Sequence, residues 1–354
     1  MARVAIIGGG LAGLRIAALR ARAGDAVTLW EASGSLGGQL GTVREAGYVI
    51  EQGAEGFVAS SQAVEALAQE LGIGASIVGQ QTPTSFGFDG RTLVALGAGE
   101  AAQFLGFQVP RRDLGNGIRA FQGGMGELIE AMVRVLSPHV DLRVGERVER
   151  LSRGPSGWQL TTGRGVEQAE AVFVATAARA ASALLEPELG TPARELGRAE
   201  LLSSVTVSLA YDRRAIPHAL DGTGFVVAED AVEEGLRACT FTSSKLPGRA
   251  PPEKALLRAF FRPKDEDIER DDAEWSARAE RGILRVLSPA ARPERAWVAR
   301  WRAALPIIDA AHRARVAALE SALEGTHVVL AGAAFHGSGI DAALCSAERA
   351  AAHR

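Results

Sequence analysis

The sequence is poor in sulfur and in the larger aromatic side chains. It holds two cysteines (Cys239 and Cys345), three methionines and two tyrosines among 354 residues. Two cysteines at no metal-ligand spacing exclude a zinc or iron–sulfur module and a disulfide framework, and lead to the expectation of a reduced, cytoplasmic setting. A formal net charge of −3 gives no basic field for nucleic acid or an anionic bilayer. No uninterrupted apolar run approaches the roughly 20 residues of a membrane span, so no integral membrane segment is expected. The opening "MARVAII" leads straight toward a strand without a signal-peptide pattern. What is abundant is glycine, 41 residues, with dense groups near both ends of the chain: "IIGGGLAGLRIA" (6–17) and "LAGAAFHGSGI" (330–340).

The first group has a full structural context. "RVAIIGGGLAGLRIAALRARAGDAVTLWEAS" reads as strand, tight turn, helix and second strand. Gly8, Gly10 and Gly13 satisfy G-x-G-x-x-G between the apolar strand Val4–Ile7 and a helix with apolar spacing at Leu11, Leu14 and Ala18. In this motif the first glycine permits the turn, and the second lets backbone approach a pyrophosphate. The third lets helix and strand pack closely, while the helix N-terminus offers N–H groups to phosphate charge. Glu31 ends the second strand, where an acid accepts from the ribose hydroxyls of adenosine; an acid there also disfavours a 2′-phosphate. Dinucleotide binding is the expectation.

A second glycine doublet, "LGGQLGT" (36–42), and then "GYVIEQGAEGF" (47–57) follow; a nicotinamide enzyme has no stated need for them. With these blocks the sequence resembles the flavin-containing amine oxidase superfamily, and more narrowly its protoporphyrinogen/coproporphyrinogen oxidase branch. The resemblance is carried, in the family's order, by "EASGSLGGQLGTVREAGYVIEQGAEGF", "FQGGMGELIEAM" (121–132), "ACTFTSSKLPGRAPPEKALLRAF" (238–260), "WRAALPIIDAAHRARVAALESAL" (301–323) and "LAGAAFHGSGI". It implies an α/β fold: a Rossmann-like FAD-binding domain, with a parallel sheet and an antiparallel layer, plus a smaller antiparallel-sheet substrate domain. Residues 1–80, 121–180 and 295–354 are assigned to the first, and 81–120 and 181–294 to the second.

The same resemblance implies the FAD contacts. Gly8, Gly10, Leu11, Ala12 and Gly13 would surround the pyrophosphate, with Glu31 and Ala32 at the adenosine ribose. Gly38 and Gln39 would lie along the phosphate–ribityl stretch, and Gly53, Ala54, Glu55 and Gly56 beside the flavin. Val148 would meet adenine through its backbone and Trp301 would lie near the isoalloxazine. Ser338, Gly339 and Ile340 would face the pyrimidine end of the ring. A helix starting near Asp341 would then turn its positive end toward the place where negative charge gathers on reduction. This answers why two glycine loops stand so far apart in sequence: one holds the phosphates and the other addresses the redox-active ring of a long coenzyme.

Three departures bear on function. Relatives carry a long helical domain where this chain has only residues 80–120, an interval with room for a hairpin and a short helix. Gln39 replaces a common basic residue, and Ala333 stands where the family usually has a side chain that hydrogen-bonds the cofactor. Among catalytic candidates, His336 reads as a loop imidazole rather than a proton carrier, and His312 as a helix-start residue. Lys245 lies in a different block from the lysine some amine oxidases use. Arg111, Arg112 and Arg119 read as a solvated basic loop with a lesser prospect of pairing with propionates, and Met125 as packing. No catalytic side chain or metal site is assigned. The implied function is FAD-dependent hydride removal from a porphyrinogen-like, tetrapyrrole substrate with dioxygen as acceptor; a homo-oligomer is compatible with it. The alternatives are an oxidase or desaturase for a smaller substrate, and an FAD-binding protein with impaired catalysis.

Overall fold

A computed structural model describes residues 1–97, 100–101, 117–228, 231 and 234–353. Its centre is a five-stranded parallel sheet in the order Asp141–Val144, Ala26–Glu31, Arg3–Ile7, Ala171–Val174, Val328–Leu330. The central strand, RVAII, is apolar on both sides because both faces are covered: Val4 and Ile6 face one core cluster, Ala5 and Ile7 the other. On the first face the helix Leu11–Arg22 presents Leu11, Leu14 and Ala18 to the same cluster, which also takes the helices Gly126–Leu136 and Ile340–Ala351. Alanines and Gly13 on that helix keep it close to the sheet.

On the second face lies a three-stranded antiparallel layer, Val148–Gly154, Gly157–Thr162 and Gly165–Ala169. Its buried Trp158, Leu160 and Thr162 alternate with half-buried residues, the period expected of a strand covered on one face, and Leu151 of the neighbouring strand joins them in the core. Trp158 donates its indole N–H to the Thr326 carbonyl at 2.7 Å, so this large side chain is buried without an unpaired polar atom. By its local alternation "VDLRV", just upstream, would belong to this layer as well. Instead Asp141–Val144 joins the parallel sheet beside Ala26–Glu31.

A seven-stranded sheet forms the other half, in the order Arg295–Pro306, Leu201–Asp212, Lys254–Phe261, Leu236–Thr240, Gly224–Val227, Ser85–Phe88, Leu93–Leu96. All its pairings are antiparallel except Gly224–Val227 with Ser85–Phe88. Between residues 200 and 262 its members are the runs "SSVTVSLAY", "GTGFVVA", "LRACTFTSS" and "KALLRAFF", each bounded by turn residues. The strand Arg295–Pro306, grouped by sequence with the nucleotide-binding segments, pairs with Leu201–Asp212 and so bridges the two halves. The helix Asp272–Leu287 starts at Asp271, whose carboxylate accepts from the Glu274 N–H at 2.7 Å, and lays Trp275, Ala279 and Ile283 on the sheet. Residues 85–96 form the anticipated hairpin. Arg111 and Arg112 lie outside the described residues. Among the described residues no helix is long and apolar enough to cross a membrane, and no cluster of His, Cys, Asp and Glu is arranged to hold a metal.

Candidate functional site

A cavity of about 690 Å³ opens at the carboxyl ends of the parallel strands, where Ile7, Glu31 and Ala175 meet it. That is the position at which open α/β sheets bind ligands. Gly8, Gly10, Leu11 and Ala12 form one wall, and Ser338, Gly339 and Ile340 belong to the same lining. The two glycine loops therefore converge on one space. Gly38, Gln39 and Ala54 line it between them, Glu31, Ala32 and Val148 line it toward the second strand, and Trp301 lies over it.

The backbone is built to leave that space open. Gly8 has φ +113°, and a Cβ there would meet the Ala175 carbonyl oxygen at 2.5 Å. A Cβ on Gly10 would meet nothing within 4 Å, so this glycine leaves room on the cavity side. Gly13 is absent from the lining: a Cβ there would run into the Gly8 carbonyl, which is the close helix packing the motif predicts. Three helices start at the cavity and none is capped by a side chain; Ala177 precedes the third, Ala178–Leu189. Gly10 and Gly339 precede Leu11–Arg22 and Ile340–Ala351 without any side-chain bond to the first N–H groups. By contrast Ser61, Asp271 and Asp309 cap their own helices. Uncapped N–H groups facing a cavity are a ready site for negative charge at both ends, which fits a phosphate at one and an electron-accepting ring at the other. Asp341, in the first turn of the second helix, is occupied by the Ser61 hydroxyl, which donates to it.

Glu31 is held in place on both oxygens. One accepts from the Gly9 N–H at 2.7 Å and the other from the Ser33 N–H and hydroxyl, each at 2.7 Å. Gln39 donates its amide to the Ala304 carbonyl at 2.9 Å, and the Trp301 indole N–H donates to the Gln52 carbonyl at 2.7 Å. These two bonds tie the nucleotide-binding half to the bridging strand across the cavity. Ala303 beside them has φ +45°, an uncommon conformation for a residue with a side chain, next to a register shift in the pairing with Leu201–Asp212.

Three of the residues expected beside a flavin support the wall instead of lining it. Gly53 donates no surface: its carbonyl accepts from Arg258 at 2.7 Å, and a Cβ would strike the Gln39 backbone. Gly56 faces the Arg119 carbonyl. Glu55 forms a buried ion pair with Lys245 at 2.8 Å and accepts from Thr242 at 3.3 Å. Burial pushes its carboxyl up, but the charges of Lys245 and Arg258 outweigh this and hold it below the ordinary carboxylate range. Glu51, buried as well, goes the other way: desolvation outweighs Arg249 and raises it.

The remaining candidates find structural roles. His336 points away from the cavity, with Nδ1 on the Ser346 hydroxyl at 2.8 Å and Nε2 on Glu320 at 2.7 Å. His312 is buried one turn into its helix with Nε2 at 3.0 Å from the Ala334 carbonyl. Arg119 pairs with Glu65 at 3.2 Å, and Met125 is core. Ala333 does line the cavity, as an apolar surface. Sequence reasoning missed Arg147 and a shelf made by Ala177, Ala180, Ala183 and Leu184. The small-residue spacing in "ATAARAASALLE" was the signal for that shelf, since positions three and four apart share a helix face.

The pattern that defines the flavin containing amine oxidoreductase family matches residues 83–353, and an NAD(P)-binding Rossmann-like domain matches residues 6–71. A coproporphyrinogen III oxidase of Propionibacterium freudenreichii subsp. freudenreichii is 32% identical over 237 residues, which is 66% of this chain and 44% of that protein. The coproporphyrinogen III oxidase of Bacillus subtilis (strain 168) is 24% identical over 447 aligned positions, covering 95% of this chain and 94% of the relative. Since 95% of 354 residues is about 336, about 110 of those positions have no residue here, which agrees with the length deficit read from the sequence. In fold, the chain superposes on a candidate protoporphyrinogen oxidase from Exiguobacterium sp. 255-15 with a TM-score of 0.87 at 23% identity, covering 99% of this chain and 98% of that one. A reduced UDP-galactopyranose mutase gives 0.80 at 13% identity, covering 100% and 93%. With a family match across most of its length and the two-loop cavity that such a fold requires, this chain belongs to the flavin-containing amine oxidoreductases.

Proposed function

We propose that the protein is an FAD-dependent oxidoreductase that takes hydride from a porphyrinogen-like substrate and passes the electrons to dioxygen. The observation that carries this reading is the convergence of two glycine loops, each opening an uncapped helix, on one cavity. A mononucleotide would need only one of them. FAD bound there supplies the two-electron chemistry. Gly8, Gly10 and Leu11 hold the pyrophosphate, and Glu31 accepts from the ribose hydroxyls. The N–H groups after Gly339 favour negative charge at the far end. Gln39 and Trp301, through their bonds to Ala304 and Gln52, keep the bridging strand over the cavity and limit water there. No side-chain acid–base dyad is required for hydride removal; orientation of the substrate C–H bond is.

Each turn balances as a carbon-bound hydride and a nitrogen-bound proton leaving the substrate, with dioxygen taking two electrons and two protons to become hydrogen peroxide; three such turns convert a porphyrinogen into a porphyrin. Coproporphyrinogen III is the first substrate to test, because the curated relatives are named for its oxidation. The experiment loads the purified protein with FAD and mixes it anaerobically with coproporphyrinogen III. Bleaching of the flavin band, followed on admitting air by porphyrin fluorescence and peroxide, is the result expected. Bleaching only by amines or other small donors would favour the second reading, an oxidase for a different substrate on the same scaffold. Failure to take up FAD would contradict both.

A further inference from the structure

The cavity lining is unusual in its charge. It contains three carboxylates, Glu31, Glu146 and Glu149, and a single cation, Arg147. Gln39 adds none. Arg147 is exposed, and among the described residues it makes no hydrogen bond, ion pair or ring contact. Most other arginines at the edges of this fold are engaged: Arg143 with Asp141 at 2.8 Å, Arg119 with Glu65, Arg300 with Asp272 at 2.6 Å. A free guanidinium at the rim of a cavity is in reach of whatever fills it.

Its position names the part of the ligand. Gly145 and Glu146 donate backbone N–H groups to the carbonyls of Ser33 and Glu31, both at 2.9 Å, so the segment that leads into Arg147 is laced to the strand end that carries Glu31. The sheet order is Asp141–Val144, Ala26–Glu31, Arg3–Ile7. Moving outward across these three strand ends, one meets the phosphate loop, then the ribose acid, then Arg147. The next group along an adenine dinucleotide is the base. Facing this end is the apolar shelf of Ala180, Ala183 and Leu184, on a helix that packs against the strand beginning at Val148. A purine placed there would lie between an apolar floor and a planar cation.

We infer that Arg147 is a specificity-determining residue that closes over the adenine of the bound dinucleotide by stacking its guanidinium on the base. This rests on the dinucleotide reading above and extends it to a residue of this chain that the motif does not contain. A guanidinium stacks on aromatic rings as an ammonium does not, because it is planar and weakly hydrated.

The test compares the wild type with Arg147→Ala and Arg147→Lys by quenching of flavin fluorescence on titration with FAD and with FMN, and by calorimetric titration with ADP, each at low and high salt. Melting temperature serves as the folding control, and the exposed side chain is expected to leave it unchanged. The expected result is FAD and ADP affinity about 3- to 30-fold weaker in Arg147→Ala, with FMN unaffected, little rescue by lysine and little dependence on salt. Unchanged FAD and ADP affinity would overturn the inference, as would an equal loss for FMN. Full rescue by lysine with a steep salt dependence would assign Arg147 to the phosphates and overturn the stacking. If the wild type bound ADP but no flavin, the flavin reading alone would fail, and the ADP arm would still decide on Arg147. Binding of neither would overturn both.

Discussion

Alanine at position 13 and alanine at position 10 separate the two tasks of the glycine motif. At Gly13 the new methyl would stand against the Gly8 carbonyl, 3.1 Å from its carbon and closer still to its oxygen. Both are backbone, so relief requires the helix Leu11–Arg22 to move off the loop by on the order of 1 Å, a form of overpacking that costs about 1–3 kcal/mol. The better helix propensity of alanine returns up to about 1 kcal/mol. The clash wins because it is with backbone on both sides, and the net loss of about 1–2 kcal/mol lowers the melting temperature by about 1–3 °C in a chain this long. At Gly10 the methyl meets nothing within 4 Å, and the residue already has φ −74°, so the fold tolerates it within about 0.5 kcal/mol. It projects instead into the space where a pyrophosphate must touch backbone. Gly10→Ala is therefore expected to melt like the wild type yet bind FAD about 10-fold or more weakly, whereas Gly13→Ala loses both stability and affinity. Calorimetry and flavin-fluorescence titration on the two variants check this. Equal losses of melting temperature in both, or full FAD affinity in Gly10→Ala, would refute the reasoning.

Other substitutions probe the wall and the acid. Lys245→Met removes the partner of buried Glu55 and is expected to cost about 3–5 kcal/mol at neutral pH, measured by denaturant unfolding. The sign of the pH dependence also changes. In the wild type the Glu55 carboxyl lies below 4.5, so its contribution is complete above that pH and is lost as the pH falls through the lower folded value. Without Lys245 the buried carboxylate prefers a proton, so the variant gains stability relative to the wild type on going from pH 7 to pH 5; a constant difference would contradict this. Glu31→Ala leaves the Gly9 N–H without its acceptor and removes the ribose contact, so FAD affinity is expected to fall about 10- to 100-fold by fluorescence titration. Ala333→Asn returns an amide to the cavity lining and is expected to tighten FAD by about 5-fold, worth about 1 kcal/mol, in the same assay.

Local signals carried much of this fold. The central strand and its helix were legible because an apolar run, a glycine turn and an apolar 3.6-residue period occur in direct succession. Four of the second sheet's seven strands, those between residues 200 and 262, are legible because turn residues bracket each run. Two strands pair where their local sequence does not point, for a common reason: pairing is a long-range property. "DLRV" looks like an antiparallel strand because its neighbours in sequence are, yet its partner, Ala26–Glu31, lies more than 100 residues earlier. "RAWVARWRAALP" carries family residues such as Trp301, which drew it toward the nucleotide-binding half, while its hydrogen bonds run to Leu201–Asp212. At the site, backbone-driven features were readable, since a glycine that must leave room is visible as a letter. Side chains whose meaning depends on a partner were not. Glu55 turns from the cavity because Lys245, 190 residues later, is waiting in the wall, and Arg147 stands out only once the structure shows it without a partner among the described residues.

The claim that one elongated flavin dinucleotide is gripped at both ends is tested most directly by hydrogen–deuterium exchange with and without one equivalent of FAD. Slowed exchange in peptides covering residues 8–14 and residues 338–343 together, with ADP slowing only the first, is the predicted result. Protection confined to one of the two loops at saturating FAD would contradict it.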